Sequence, residues 1–277
     1  MSILLTILAL LTTLSGVVVL LSYTIAWYEN ANRFPELARQ RFTPRNLLLT
    51  VSLLLSETFW VTLNLLLYPL GWLPRSERVE EGAGATQRPV ILLHGLFLNQ
   101  ACWSLLRWRL RRAGFYRVHT LNLPPWRDVE RQTEMVALLI DQLRHRYHCD
   151  QVDLIGHSMG GMIARNYLQL RGGETKVSTC ILLGTPNTGS RLAPFALSPQ
   201  GPLLQPGSPF LNRLNSASWP EGPRVINIFS RHDNLVLPAL NARLEGKENI
   251  ELDGVGHAGL LFRHNAFAHL LATLRQE

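Results

Sequence analysis

Two long apolar runs open the chain, and beyond residue 88 short apolar bursts alternate with amphipathic stretches. Ser2 to Tyr28 carries no charged residue, and Asn46 to Leu73 carries one, Glu57. Each run exceeds the roughly 20 residues that a helix needs to cross a bilayer core. No basic residue follows Met1, and the first run is longer than the core of a signal peptide, so it reads as a retained membrane helix. The second, Leu47 to Leu70, closes on Tyr68, Pro69 and Trp72, which suit a lipid–water interface. Between the runs, Glu29 to Arg45 contains Arg33, Arg39, Arg41 and Arg45, with Pro35 and Pro44 interrupting any continuous helix. Arginines between membrane helices favour the cytoplasmic side. That places the N-terminus and everything after the second helix outside the cytoplasm, although Arg75 and Arg78 pull the other way. An ionisable group inside a membrane run calls for a partner. The first run offers Glu57 only Thr12, Thr13 and Ser15. A protonated glutamate hydrogen-bonded across the helix pair, or in a homodimer through the membrane helices, is the expectation.

Polar residues 75–88, with Gly82 and Gly84, read as a linker between a membrane anchor at 1–74 and a second unit at 89–277. In that unit Pro89 to Leu93, Arg117 to Leu123, Gln151 to Ile155, Val177 to Leu183, Arg224 to Phe229 and Asn249 to Leu252 have the character of buried strands. Cys102 to Gly114, Asp128 to His148, Met162 to Leu170 and Leu260 to Leu274 have apolar residues at helical spacing. Alternation of this kind predicts an α/β fold, a mostly parallel sheet with right-handed crossovers and helices on both faces. Sites in such sheets lie beyond the carboxyl ends of the strands, where Gly95, Ser158 and Gly184 fall. The stretch 193–222, rich in Pro, Ser, Gly and Leu with a helical piece at Pro209 to Leu214, is too long for a plain connection and too apolar for a linker. A lid or acyl-binding cap is expected there.

Composition narrows this further. The 277 residues allow one large α/β domain plus an extra element. Against 20 acidic residues stand 27 basic ones, a net charge of +7, and Lys176 and Lys247 are the only lysines. No aromatic–basic module accompanies the excess, so nucleic acid is not the expected partner; anionic lipid headgroups fit the apolar N-terminus better. Cys102, Cys149 and Cys180 are odd in number and lack CxxC spacing, which argues against a disulfide framework or a zinc site. No metal and no cofactor is expected.

The candidate chemistry centres on Val152-Asp153-Leu154-Ile155-Gly156-His157-Ser158-Met159-Gly160-Gly161, a strand running into Gly-X-Ser-X-Gly and then a helix. This is the pattern of a nucleophile elbow, with Gly156 and Gly160 supplying room where the chain doubles back. A serine hydroxyl needs a base, and the base a third group to hold its tautomer. The expected chain order is Ser, Asp or Glu, then His. His257, in Gly254-Val255-Gly256-His257-Ala258-Gly259 after the last strand, is the candidate base on a loop expected to be mobile and exposed. His264 and His269 fall in the closing helix and read as surface or packing residues. Asp233, after Val225 to Phe229, is the candidate acid, with Asp253 the competitor. An oxyanion needs backbone donors. Met159 follows the nucleophile, and Leu96 follows His94-Gly95 at the first strand end. His94 reads as a structural hydrogen-bonding residue, and His157 as part of the elbow.

At these residues the chain resembles the α/β-hydrolase lipases and esterases, and particularly the small bacterial triacylglycerol lipases. The shared features are the His-Gly-X loop of Pro89 to Phe97, the elbow, the Asp-X-X-Val loop at Asp233 to Val236 and Gly-Val-Gly-His-X-Gly-Leu-Leu at Gly254 to Leu261. They cover about residues 88 to 275 in the right order. The resemblance implies Ser158 as nucleophile, Asp233 as acid, His257 as base, and Leu96 and Met159 as oxyanion donors. Thr185-Pro186-Asn187-Thr188-Gly189-Ser190 resembles the corresponding loop of larger lipases. The two N-terminal runs and the 193–222 stretch depart from the smallest ones. The expected function is a membrane-anchored serine carboxylester hydrolase acting on a lipid ester, an acylglycerol or a phospholipid. An acyltransferase using the same triad, a peptidase and a non-catalytic membrane scaffold are the competing readings.

The expected location is a bacterial inner membrane with the catalytic domain on the periplasmic side. A C-terminal fusion to a reporter that works only outside the cytoplasm is therefore expected to be active. An inactive fusion in the membrane fraction would overturn that topology.

Overall fold

The computed structural model describes residues 2–33, 42–73 and 88–276. Most of the expected linker and part of the Arg-rich connection between the apolar runs lie outside the described residues. Helix α1 spans Ser2–Arg33 and α2 spans Pro44–Leu67. The side chain of Thr43 caps α2 by accepting from the Asn46 N–H, and Pro44 starts the helix where its missing N–H is not needed. Both helices are long and apolar enough to cross a membrane. They pair through Val19, Tyr23 and Leu53, with Trp27, Leu49 and Val61 packed alongside.

The rest of the chain builds one sheet. Strands β1 (Val90–Leu93), β2 (Val118–Leu121), β3 (Val152–His157), β4 (Val177–Leu183), β5 (Arg224–Ser230) and β6 (Glu248–Leu252) form it. Their order is β2-β1-β3-β4-β5-β6, parallel throughout. The central strands are apolar without alternation because both faces are covered. Ile91, Leu93, Leu154, Cys180 and Leu182 face one side, where Val136 and Ile140 of α4 (Val129–Tyr147) and Met162 and Ile163 of α5 (Met159–Leu170) pack. Val90, Leu92, Ile155, Ile181 and Ile228 face the other. There Leu106 and Leu110 of α3 (Ser104–Arg112) meet Ala266 and Leu270 of α7 (His264–Arg275).

Helix α2 belongs to this second layer. Trp60 and Leu63 join its core, and Trp60 lies flat on Phe262, rings 4.7 Å apart and 8° from coplanar. Such a stack contributes about 0.5–1.5 kcal/mol beyond the area it buries. At the far end of α2, the Tyr68 carbonyl accepts from Asn99 Nδ2, and the Gly71 carbonyl from Gln100 Nε2 and Asn122 Nδ2. The hairpin is thus seated on the sheet domain along the length of α2 rather than joined to it only by a linker. Its outer face, with Leu48, Val51, Leu55 and Phe59, stays exposed.

Helix α5 starts at Met159, immediately after Ser158 and earlier than the apolar spacing indicated. The closing helix is shorter than expected, because the chain first makes a 3-10 turn at Ala258–Leu261 and then turns extended at Arg263. The stretch 193–222 is a packed cap with 3-10 turns at Ala193–Phe195 and Pro202–Leu204 and helix α6 at Pro209–Ser216. Leu204, Phe210, Leu211 and Leu214 bury into the core beside α5. Arg165, 1% exposed, ties it down. Its guanidinium donates to the Asn187 carbonyl (3.2 Å) and side chain (3.1 Å), to the Leu214 carbonyl (3.4 Å) and to Asn215 Oδ1 (2.9 Å).

Arg165→Met keeps the bulk and orphans these buried acceptors. It is expected to cost about 2–3 kcal/mol in urea unfolding and to open the 193–222 cap to protease. Unchanged stability would show that water satisfies the acceptors.

Candidate active site

The turn from β3 into α5 puts Ser158 at φ 54, ψ −120, a conformation that side-chain-bearing residues rarely adopt. Holding it costs of the order of 1–3 kcal/mol, which the packing around it must offset. That packing leaves no room for side chains. A Cβ on Gly160 would lie 2.1 Å from the Leu93 carbonyl oxygen, one on Gly156 2.6 Å from the Gly160 carbonyl oxygen, and one on Gly161 1.9 Å from Thr185 Oγ1. On the facing loop, a Cβ on Gly95 would come 3.0 Å from Ser158 Cβ. The amide N–H groups of Leu96 and Met159 have no hydrogen-bond partner among the described residues, as donors reserved for an incoming oxyanion require.

His257 lies after β6, and its Nδ1 is 2.7 Å from Asp233 Oδ2. The carboxylate selects the tautomer with the proton on Nδ1, leaving Nε2 as the acceptor. Asp233 Oδ1 accepts the Leu235 and Val236 N–H groups, each at 2.8 Å, which aims the second oxygen at the ring. The competing acid, Asp253, is exposed and sits beside His232 instead. His264 and His269 are exposed on α7. Burial pulls the His257 imidazole down, but the Asp233 carboxylate and its hydrogen bond outweigh this and hold it above its ordinary value.

The other two histidines stay neutral. Burial lowers His94 to about 4. Its Nδ1 is 2.9 Å from the Gly95 carbonyl and its Nε2 accepts the Leu123 N–H at 2.9 Å, so the ring ties the turn after β1 to the loop after β2. His157 is lowered well below the usual range by burial and then by His257. Its Nε2 reaches the His257 carbonyl at 3.3 Å, with the two rings 4.7 Å apart.

Two features depart from the sequence reading. The His257 loop is neither exposed nor free to swing: His257 is 5% exposed, and Val255 and Leu260 2% each. Glu57 finds its partners on the His257 loop and not across the helix pair. Its Oε2 accepts the Ala258 N–H and its Oε1 the Gly259 N–H, each at 2.8 Å, one residue beyond the imidazole. Sequence reasoning also missed Asn234, which accepts the His257 N–H at 3.1 Å and donates to Ser22 Oγ of α1 at 2.7 Å. Beside it, the Tyr23 hydroxyl donates to the His232 carbonyl at 3.2 Å. The one available signal was a lone charge in an apolar run; Ser22 and Tyr23 are unremarkable in sequence.

A serine on a strained strand–helix turn, with a buried imidazole–carboxylate pair at the carboxyl ends of a parallel sheet, is the architecture of an α/β hydrolase. Comparison with known proteins agrees. Residues 90–211 match the model of the Alpha/beta hydrolase family. Abhydrolase domain-containing protein abhd-5.2 of Caenorhabditis elegans is 33% identical over 89 residues, which are 28% of this chain and only 19% of that relative's length. Among solved structures, Aspergillus fumigatus lipase B superposes with a TM-score of 0.61 at 21% identity, covering 71% of this chain and 54% of that one. The mature form of Bacillus licheniformis lipase BlEst2 gives 0.60 at 18%, covering 68% and 92%. The monoacylglycerol lipase of Paleococcus ferrophilus gives 0.52 at 18%, covering 68% and 95%. At these identities the likeness is one of fold. The chain has the α/β-hydrolase fold, resembles lipases and esterases of that superfamily, and carries two N-terminal helices apolar enough to span a membrane.

If His257 must be neutral to act, activity is lost as pH falls through its raised value, so the acid limb of kcat/KM is expected above about 6.5. Asp233→Asn removes the charge that favours the imidazolium. It should move that limb to lower pH while cutting kcat on the order of 10³–10⁴-fold. A pH profile identical in the variant would remove Asp233 from the site.

Proposed function

We propose that this chain is a membrane-anchored serine carboxylester hydrolase acting on lipid acyl esters. The observation that carries the reading is the 2.7 Å His257–Asp233 contact beside the elbow, whose His157 reaches the His257 carbonyl at 3.3 Å next to Ser158. In the proposed cycle, His257 Nε2 takes the Ser158 proton as Oγ attacks the ester carbonyl, and the Leu96 and Met159 N–H groups hold the oxyanion. Collapse breaks the bond to the alcohol, which leaves with the proton from His257, and the acyl group stays on Ser158. Water, deprotonated by His257, then attacks the acyl-enzyme and frees the acid.

A lipid substrate is supported by the apolar surface beside the oxyanion loop. Phe97 and Trp126, rings 6.3 Å apart, are exposed there. Phe195 and Leu197 are exposed on the cap, which reaches the loop carrying Trp126 through Ser198 Oγ to the Pro125 carbonyl (2.6 Å) and Gln200 Nε2 to the Arg127 carbonyl (2.9 Å). Exposed apolar patches mark contacts with other proteins, membranes or apolar ligands, and a lipid ester is the ligand this reading assigns to them. The outer face of the α1–α2 hairpin supports anchoring in a bilayer, and the arginines between the helices support a catalytic domain on the periplasmic side of an inner membrane.

A fluorophosphonate probe is expected to label Ser158 in membranes. Ser158→Ala should abolish both labelling and ester hydrolysis, a loss of about four orders of magnitude or more in kcat, while thermal stability is retained. Hydrolysis at the wild-type rate by the folded variant would end this reading.

A further inference from the structure

Glu57 is 1% exposed, lies in the middle of an apolar helix, and spends both carboxylate oxygens on the backbone of the His257 loop. The loop is shaped around it. A Cβ on Gly256 would come within 2.2 Å of the Glu57 Cδ and Cγ, and one on Gly259 within 2.7 Å of its Oε1. Neither glycine has a positive φ, so the space taken by the carboxylate, and not backbone conformation, is what excludes a side chain at both places. The backbone of His257 itself is held as well: Asn234 takes its N–H and His157 reaches its carbonyl. Three separate elements therefore fix the backbone on either side of the imidazole, and one of them is an apolar helix distant in sequence.

We propose that Glu57 is a positioning residue for the proposed base: by binding the Ala258 and Gly259 N–H groups it holds the His257 imidazole in register with Ser158, making helix α2 a working part of the active site. Glu57 touches neither substrate nor the reacting atoms. The inference rests on the Ser158–His257–Asp233 reading given above. Small displacements of a catalytic group are costly, about 100-fold for 1 Å, so a loop pinned at three points is what such chemistry needs. The arrangement also ties catalysis to the seating of the hairpin, since a shift of α2 would move the carboxylate that holds the loop.

The test uses the full chain in detergent with a short-chain p-nitrophenyl ester and a fluorophosphonate probe, with Glu57→Gln, Glu57→Leu, Gly256→Ala and Ser158→Ala compared. Both Glu57 variants are expected to lose about 10- to 100-fold in kcat with KM within about twofold of wild type, and to label more slowly in parallel. Glu57→Gln, which keeps one acceptor oxygen, should retain more activity than Glu57→Leu. Gly256→Ala, which pushes the carboxylate out from the other side, should reproduce the kcat loss. Folded Glu57 variants with kcat within about twofold of wild type beside an inactive Ser158→Ala would overturn the proposal and leave the triad standing. Activity in Ser158→Ala would instead remove the reading on which it rests. Failure of Glu57→Gln to fold would also overturn it, by making Glu57 a determinant of the whole domain.

Discussion

The site depends on burying a carboxylate against an imidazole 2.7 Å away. Taking charge out of water is expensive unless each oxygen and nitrogen regains a partner. Here the accounting is nearly complete. Asp233 gives one oxygen to two backbone amides and the other to the ring, so the Asp233–Val236 turn and the imidazole orient each other. The ring's own backbone is held by Asn234 and His157. Much of the loop structure at the carboxyl end of the sheet can be read as the means of satisfying this one pair.

The apolar hairpin takes part in the same accounting. Ser22 and Tyr23 of α1 reach the Asp233 loop, and Glu57 of α2 reaches the His257 loop. The ion pair of Arg191 with Glu29 adds a contact at the edge of the cap. The inner face of the hairpin is therefore polar at a few points and apolar elsewhere, while the outer face is mostly apolar, with Thr6, Thr12, Thr13, Thr24 and Ser52 among its exposed residues. That division leaves an apolar surface on one side of the helix pair and hydrogen bonds to the Asp233 and His257 loops on the other. It also explains why Glu57 is tolerated in an otherwise uncharged run: its carboxylate is removed from the apolar surroundings by two amide donors.

The cap shows the opposite balance. Its inner residues are ordinary core, locked by Arg165 to the Asn187 loop and to α6. Of its large hydrophobic side chains, Phe195 and Leu197 are left in the open, and the neighbouring Ser198 bonds the Pro125 carbonyl next to Trp126. Apolar area that could have been buried in the core is thus kept at the surface beside the proposed oxyanion donors, which suits a substrate delivered with an acyl chain.

How much of this could be read without coordinates follows from what each signal measures. Apolar runs bounded by Gly and Pro report burial on both faces, so the six strands and their parallel arrangement were legible. The elbow was legible because close approach of two backbone segments demands glycine at fixed offsets from Ser158, and that demand is local. Helix limits near the site were read less well: α5 begins earlier and α7 later than spacing indicates, since contacts at Ser158 and at Ala258 to Gly259 decide where the helices run. The glycines around His257 suggest flexibility when read locally, because a local pattern cannot tell room to move from room already filled. What the sequence by itself determined is the periodicity, the fold class and the residue types the chemistry needs. Only the tertiary structure decided that Glu57 fills the space beside Gly256 and Gly259, that Asn234 bridges to Ser22, and that the hairpin bonds to the loops of Asp233 and His257, because hydrogen bonds between residues some 200 positions apart leave no periodic trace along the chain.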